Sequence, residues 1–169
     1  MKITENEINS AVRRFFRLNG FSFMSTLPGG EKLYYTINNN PLHNKQPDSI
    51  VYKGDLLILC EDKINYSDLF KQNKEHLSDY NKLLSFLTSE EDVRRFNIRA
   101  KSGHPDIDFT IRGCLSSLAP KSKRDHTVDY GLFLNVQVSF LDTQNCKAKV
   151  ICHSDLAPYF PSNELNIKL

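Results

Sequence analysis

The chain has 169 residues, 25% of them charged and 40% hydrophobic, with a net charge of +2; that length suits one domain with its own core and is short for two. The near-neutral balance excludes nucleic-acid binding by overall charge, so any such affinity must come from a local patch. No apolar run approaches the ~20 residues of a membrane span, and the N-terminus reads as a polar helix start rather than a signal peptide, so the expectation is a soluble, cytoplasmic protein with no membrane role.

Thr4-Glu5-Asn6-Glu7 opens a helix, with Thr4 as N-cap and Glu7 closing a capping box. Ile8, Ala11, Val12, Phe15 and Phe16 recur at helical spacing as one apolar face, and Gly20 is the stop signal. Residues 21–26 and 33–37 read as strands around the turn Pro28-Gly29-Gly30. Residues 38–46 form an asparagine-rich loop that leads into Pro47-Asp48.

Gly54-Asp55 is a two-residue hairpin signal between residues 49–53 and 56–60. Asp48 therefore starts one strand and Glu61 lies near the end of its partner. Side chains alternate across a strand, so Glu61 and Lys63 point the same way, toward whatever Asp48 faces, and Asp62 points the opposite way. Two carboxylates and one ammonium on a single strand edge suit a hard divalent cation that keeps several of its waters.

After Lys63 a second long helix is expected, capped near Ser67 or Asp68, with Leu69, Phe70, Leu77, Tyr80, Leu84 and Leu87 as its buried stripe. Residues 109–114, 132–140 and 147–152 read as further strands, the last two joined by a turn at 142–145. Pro105-Asp106 heads a similar strand-like stretch but no acid-x-Lys follows it, which makes it an internal control. Two basic clusters, Arg94, Arg95, Arg99 and Lys101, and Lys121, Lys123 and Arg124, are candidate phosphate contacts; solvated surface charge is the plainer account of either one alone.

Other chemistries find little support. Cys60, Cys114, Cys146 and Cys152 contain no C-x-x-C pair, and Cys146, Cys152 and His153 match no standard zinc spacing. Scattered thiols fit a reducing compartment. There is no G-x-S-x-G and no Gly-rich phosphate loop.

Pro47-Asp48, then twelve residues, then Glu61-Asp62-Lys63 at the end of an apolar run resembles the active site of the PD-(D/E)xK nuclease superfamily. The order of a helix, three strands and a helix through about residue 90 resembles that superfamily's core. The resemblance implies an α/β chain with a restriction-endonuclease-like mixed β-sheet flanked by helices. Residues 1–90 would hold the core and motif. Residues 91–169 would supply a strand completing the sheet, together with an added C-terminal β-hairpin.

It further implies a Mg²⁺-dependent nuclease, with Mn²⁺ as substitute, acting on DNA. Asp48, Glu61 and the backbone carbonyl of Asp62 would be metal ligands, and Lys63 would position the attacking water. Many superfamily members add a glutamate from the first helix. Glu5 is the candidate for that role, because Glu7 is explained by its capping box. A homodimer using the hairpin of residues 132–151 is expected, since one site cuts one strand. The alternatives are a nuclease-fold module without activity that binds nucleic acid or protein, and an α/β interaction protein whose acidic-basic strand end is coincidental.

Overall fold

The computed structural model describes residues 1–24, 26–38, 40, 43–121 and 128–169, and the run Leu56-Leu57-Ile58-Leu59-Cys60 organises it. This run forms strand β5 (Leu56–Asp62), in which every residue is buried. A strand apolar on both faces must be covered on both, and that requirement sets the layers.

In chain order the strands before β5 are β1 (Ser22–Phe23), β2 (Tyr35–Thr36), β3 (Asn44–Lys45) and β4 (Ser49–Lys53). Those after it are β6 (Thr110–Leu118), β7 (Phe133–Phe140), β8 (Asn145–Ile151) and β9 (Glu164–Lys168). Seven of them make one mixed sheet in the order β1-β4-β5-β6-β7-β8-β9. β1, β4 and β5 are antiparallel, β5, β6 and β7 are parallel, and β7, β8 and β9 are antiparallel. β2 and β3 pair as a separate ribbon. Gly54, at φ 58, makes the tight β4–β5 turn that the sequence announces.

Helix α1 (Glu5–Leu18) covers one face, and its capping box between Thr4 and Glu7 is present. Ile8, Ala11, Val12, Phe15 and Phe16 pack with Leu56, Ile58 and Cys60 of β5, and with Leu134, Val136 and Val138 of β7. Helices α2 (Asp79–Leu87) and α3 (Glu90–Ala100) lie in the β5–β6 crossover. They close the other face over Leu57, Leu59, Ile111 and Leu115. The end of α1 is fastened by Lys53, whose Nζ donates to the carbonyls of Asn19 at 2.8 Å and Tyr159 at 2.9 Å.

Several elements differ from the sequence expectation. The long helix after Lys63 is a 3₁₀ turn, Tyr66–Phe70, followed later by α2. Asn73 Oδ1 accepts from the backbone N–H groups of Glu75 and His76, a local turn that competes with helix. Ser78 then caps α2 afresh through Asn81 N–H. The buried residues of α2 are accordingly Leu83 and Phe86, and Leu77 is exposed. Among the described residues, 21–26 and 33–37 do not pair with each other: β1 pairs with β4 and β2 with β3, and the one bridge across the turn joins Thr26 to Lys32.

The hairpin of residues 132–151 is not a free edge, because β7 pairs with β6 and β8 pairs with β9. It extends the sheet, and the edge that a second copy could reach on this side is β9.

Gly113 is where β6 and β7 approach most tightly against α2. A Cβ there would stand 2.7 Å from Phe133 Cε1 and 3.3 Å from Leu87 Cδ1. Phe133 is fully buried and cannot swing aside. Gly113→Ala should therefore destabilise the protein by roughly 1–3 kcal/mol, seen as a lower urea midpoint at unchanged slope; an unchanged or higher midpoint would contradict this packing.

Candidate active site

The C-terminal end of β5 gathers charge. Asp48 precedes β4 and its N–H donates to the Cys60 carbonyl at 3.0 Å, which places it opposite Glu61. Asp48 Oδ2 accepts the Asp62 N–H at 2.8 Å, so the carboxylate is held against the β5 backbone. Alternation then separates the next two acids. Glu61 turns to the α2 side, near Tyr35 and Asp79. Asp62 turns to α1, where Asn9 Nδ2 donates to its Oδ2 at 2.6 Å.

Lys63 returns to the Glu61 side: its Nζ lies 3.8 Å from Asp79 and 3.2 Å from Glu5 Oε1. Asp48, Glu61 and Lys63 thus lie at one strand end, and Glu5 reaches it from α1 through its contact with Lys63. The carbonyl of Asp62 belongs to the last residue of the same strand.

Two members escaped the sequence reading. Lys45 on β3 sits 3.9 Å from Glu61 Oε2 and 3.7 Å from Asp79. Asp79, the first residue of α2, therefore stands between the ammonium groups of Lys45 and Lys63. Charges alternate along the site from Glu61 through Lys45, Asp79 and Lys63 to Glu5. The only sequence signal for Asp79 was the Ser78 N-cap beside it.

Burial dominates the electrostatics. Glu61 and Asp62 are each 1% exposed, and an ionised carboxylate pays heavily for lost water. Burial pushes Glu61 up to about 9, against the attraction of Lys45 and helped by Asp48 and Asp79. Burial likewise raises Asp62 to about 7, opposed by the Asn9 hydrogen bond and assisted by the Asp48 charge. At Lys63 burial works against the ammonium, but Glu5, Asp79 and Asp48 outweigh it and hold the group above the usual lysine range. The Tyr35 hydroxyl, in the field of Glu61, is pushed far up by burial and makes no hydrogen bond of ordinary geometry.

One oxygen of each buried acid, Glu61 Oε1 and Asp62 Oδ1, likewise makes no hydrogen bond of ordinary geometry, although Tyr35 and Asp48 adjoin Glu61 and Ser116 adjoins Asp62. A buried acceptor left open is costly, and at Glu61, beside Asp48, it suits an oxygen-seeking cation. Among the described residues no group of three or more His, Cys, Asp or Glu side chains is arranged to hold a metal ion.

The remaining sequence candidates lie elsewhere. Arg94 and Arg95 are exposed on α3, and Arg95 pairs with Glu91 at 2.7 Å. Arg99 stacks 3.8 Å over the Tyr34 ring and donates to its carbonyl. Lys101 pairs with Asp108 at 2.6 Å. Three of these four thus serve contacts within the protein. Lys121 lines an open cleft of about 590 Å³ with Tyr66, Leu118 and Phe140. Lys123 and Arg124 fall outside the described residues. The control residue Asp106 is exposed ahead of β6, and nothing places it near Glu61.

Compared with family models, curated proteins and solved structures, the chain matches none. No helix among the described residues is long and apolar enough to cross a membrane.

The raised carboxyls fix a pH response. Glu61 titrates at 4.5 ordinarily and at about 9 in the fold, so the folded state holds a proton that the unfolded chain releases. Stability of the metal-free protein should fall as pH rises from about 4.5 and level off above about 9, with Asp62 adding to the decline up to about 7. Glu61→Gln should flatten that decline and melt higher than wild type at alkaline pH, with the gap closing toward acid. Thermal melts with chelator across the range check this; a wild-type melting temperature that rises with pH would refute it.

Proposed function

We propose that the chain is a divalent-cation-dependent nuclease of PD-(D/E)xK type, hydrolysing phosphodiester bonds of DNA on a restriction-endonuclease-like sheet. The observation that carries the reading is the meeting of Asp48, Glu61 and Lys63 at one end of a tight hairpin, with a buried Glu61 oxygen that makes no hydrogen bond of ordinary geometry. The element order supports it too: α1, then β1, β4 and β5 antiparallel, then a helical crossover to a parallel β6.

In this reading Asp48, Glu61 and the Asp62 carbonyl would hold Mg²⁺ or Mn²⁺. The bound cation supplies Lewis acidity, lowering the pKa of a coordinated water and stabilising the leaving oxygen. The residues provide placement and field. Asp48 is fixed through the Asp62 N–H, so it keeps its position when Glu61 gives up its proton. Lys63, held by Glu5 and Asp79, orients the attacking water and stabilises negative charge developing on the phosphate. Glu5 steadies Lys63 rather than reaching past it. Asp62 and Asn9 lock the strand end to α1 and leave the other face to the chemistry.

The test is incubation with supercoiled, linear, branched and single-stranded DNA, with and without Mn²⁺. Wild type should cut only with the cation. Asp48→Asn and Lys63→Ala should each lower the rate on the order of 100-fold or more, and Asp106→Ala should leave it largely intact. A cation bound without any cleavage would make the chain a binding module; loss of activity in a folded Asp106→Ala would mean the other Pro-Asp carries the site.

A further inference from the structure

The two halves of the sheet differ in how they meet water. β5 is buried on both faces, whereas β8 and β9 alternate buried and exposed residues. Cys146, Ala148, Val150 and Ile167 face α1. The opposite face of β7, β8 and β9 carries Gln137, Ser139, Lys147, Lys149, Asn166 and Lys168, with Glu164 as the one acid. Gln137 is half-buried and the others are exposed. An antiparallel sheet can present such a polar face to solvent, so exposure alone assigns it nothing.

Its position and its charge assign it more. By alternation this is the same face of the sheet as Glu61 and Lys63. Asp62 pairs with Ser116, so Lys63 lies beside Ser117; Ser117 pairs with Gln137, and Gln137 with Lys149. One row thus runs from the candidate site to Lys149, about 14 Å at the usual inter-strand spacing. The row continues to Glu164, the one acid on this face, which stands opposite Lys149 and pairs with Lys147 at 3.1 Å; Lys147 and Lys168 lie one and two rows further along β8 and β9. Lysines among Asn, Gln and Ser are the side chains that contact phosphate and sugar without reading sequence.

We propose that this open face of β7–β9 is the docking surface for the phosphate backbone of duplex DNA, leading it to the Asp48–Glu61–Lys63 end of β5. The inference rests on the nuclease reading above and gives it a substrate path. For a chain of net charge +2, the face offers a local excess of three lysines over one acid.

The test is binding of a short labelled duplex by fluorescence anisotropy, in Ca²⁺ to hold back cleavage, over a range of salt. The double variant Lys147→Glu/Lys149→Glu should bind at least about tenfold more weakly, and its log–log salt slope should shrink by about two. Glu164→Gln should bind more tightly than wild type, the opposite sign. Circular dichroism and Mn²⁺ titration verify that each variant is folded. Unchanged affinity and slope in a folded double variant would overturn the proposal, as would polyaspartate binding as well as duplex. Duplex binding that depends on these lysines, with no cleavage by wild type, would refute the nuclease reading and leave the surface standing. Cleavage by wild type with unaltered binding in the double variant would do the reverse.

Discussion

Holding Glu61 and Asp62 out of water at the end of β5 is the constraint on which the other parts of the site depend. Parallel pairing with β6 and antiparallel pairing with β4 bury this strand from both sides, and the helices then close over both its faces. Carboxyls so placed need a proton, a hydrogen bond or a cation. The fold supplies each in part: Asn9 for Asp62, Lys45 for Glu61, and a proton where neither suffices. The same desolvation that costs stability keeps a local field strong. This is a physical reason for a site to sit at a strand end under two layers rather than on an open loop.

Much of this was legible because it is local or periodic. The capping box at Thr4 and Glu7 is decided within one helical turn, and Gly54-Asp55 fixes its hairpin within four residues. The division of labour between Glu61 and Asp62 follows from alternation alone. Lys45 was not legible. Its strand is two residues long in an asparagine-rich stretch, without any period, and only the paired ribbon brings it over Glu61. The Tyr66–Phe70 turn and α2 merged into one expected helix because Leu69, Phe70, Leu77, Tyr80, Leu84 and Leu87 keep a helical spacing; the turn at Asn73 and the cap at Ser78 separate them. β9 escaped because four of its five residues are not buried, leaving Ile167 as a single anchor.

The crossover between β5 and β6 explains why the C-terminal half resisted reading. Its strands contact α1, which lies more than a hundred residues earlier, and the register of β7 is set by parallel pairing with β6, whereas the β7–β8 hairpin follows from its local turn at Asp142–Asn145. Long-range pairing of that kind leaves no mark in a short window of sequence. The outcome is a sheet with one doubly covered half and one half open to solvent on a single side, and the charged strand end lies where the two meet.

Glu5 and Asn9 are four residues apart, so they share one face of the first turns of α1. One grips Lys63 and the other grips Asp62. Helix ends fray at far lower free energy than global unfolding. When the first turns of α1 open, the Lys63 ammonium loses a partner and the Asp62 carboxyl is released to solvent in the same event. The readiness of the strand end is thereby tied to a local opening equilibrium, one that the rate of amide exchange at Ile8 and Asn9, faster than in the core, would report without any substrate present.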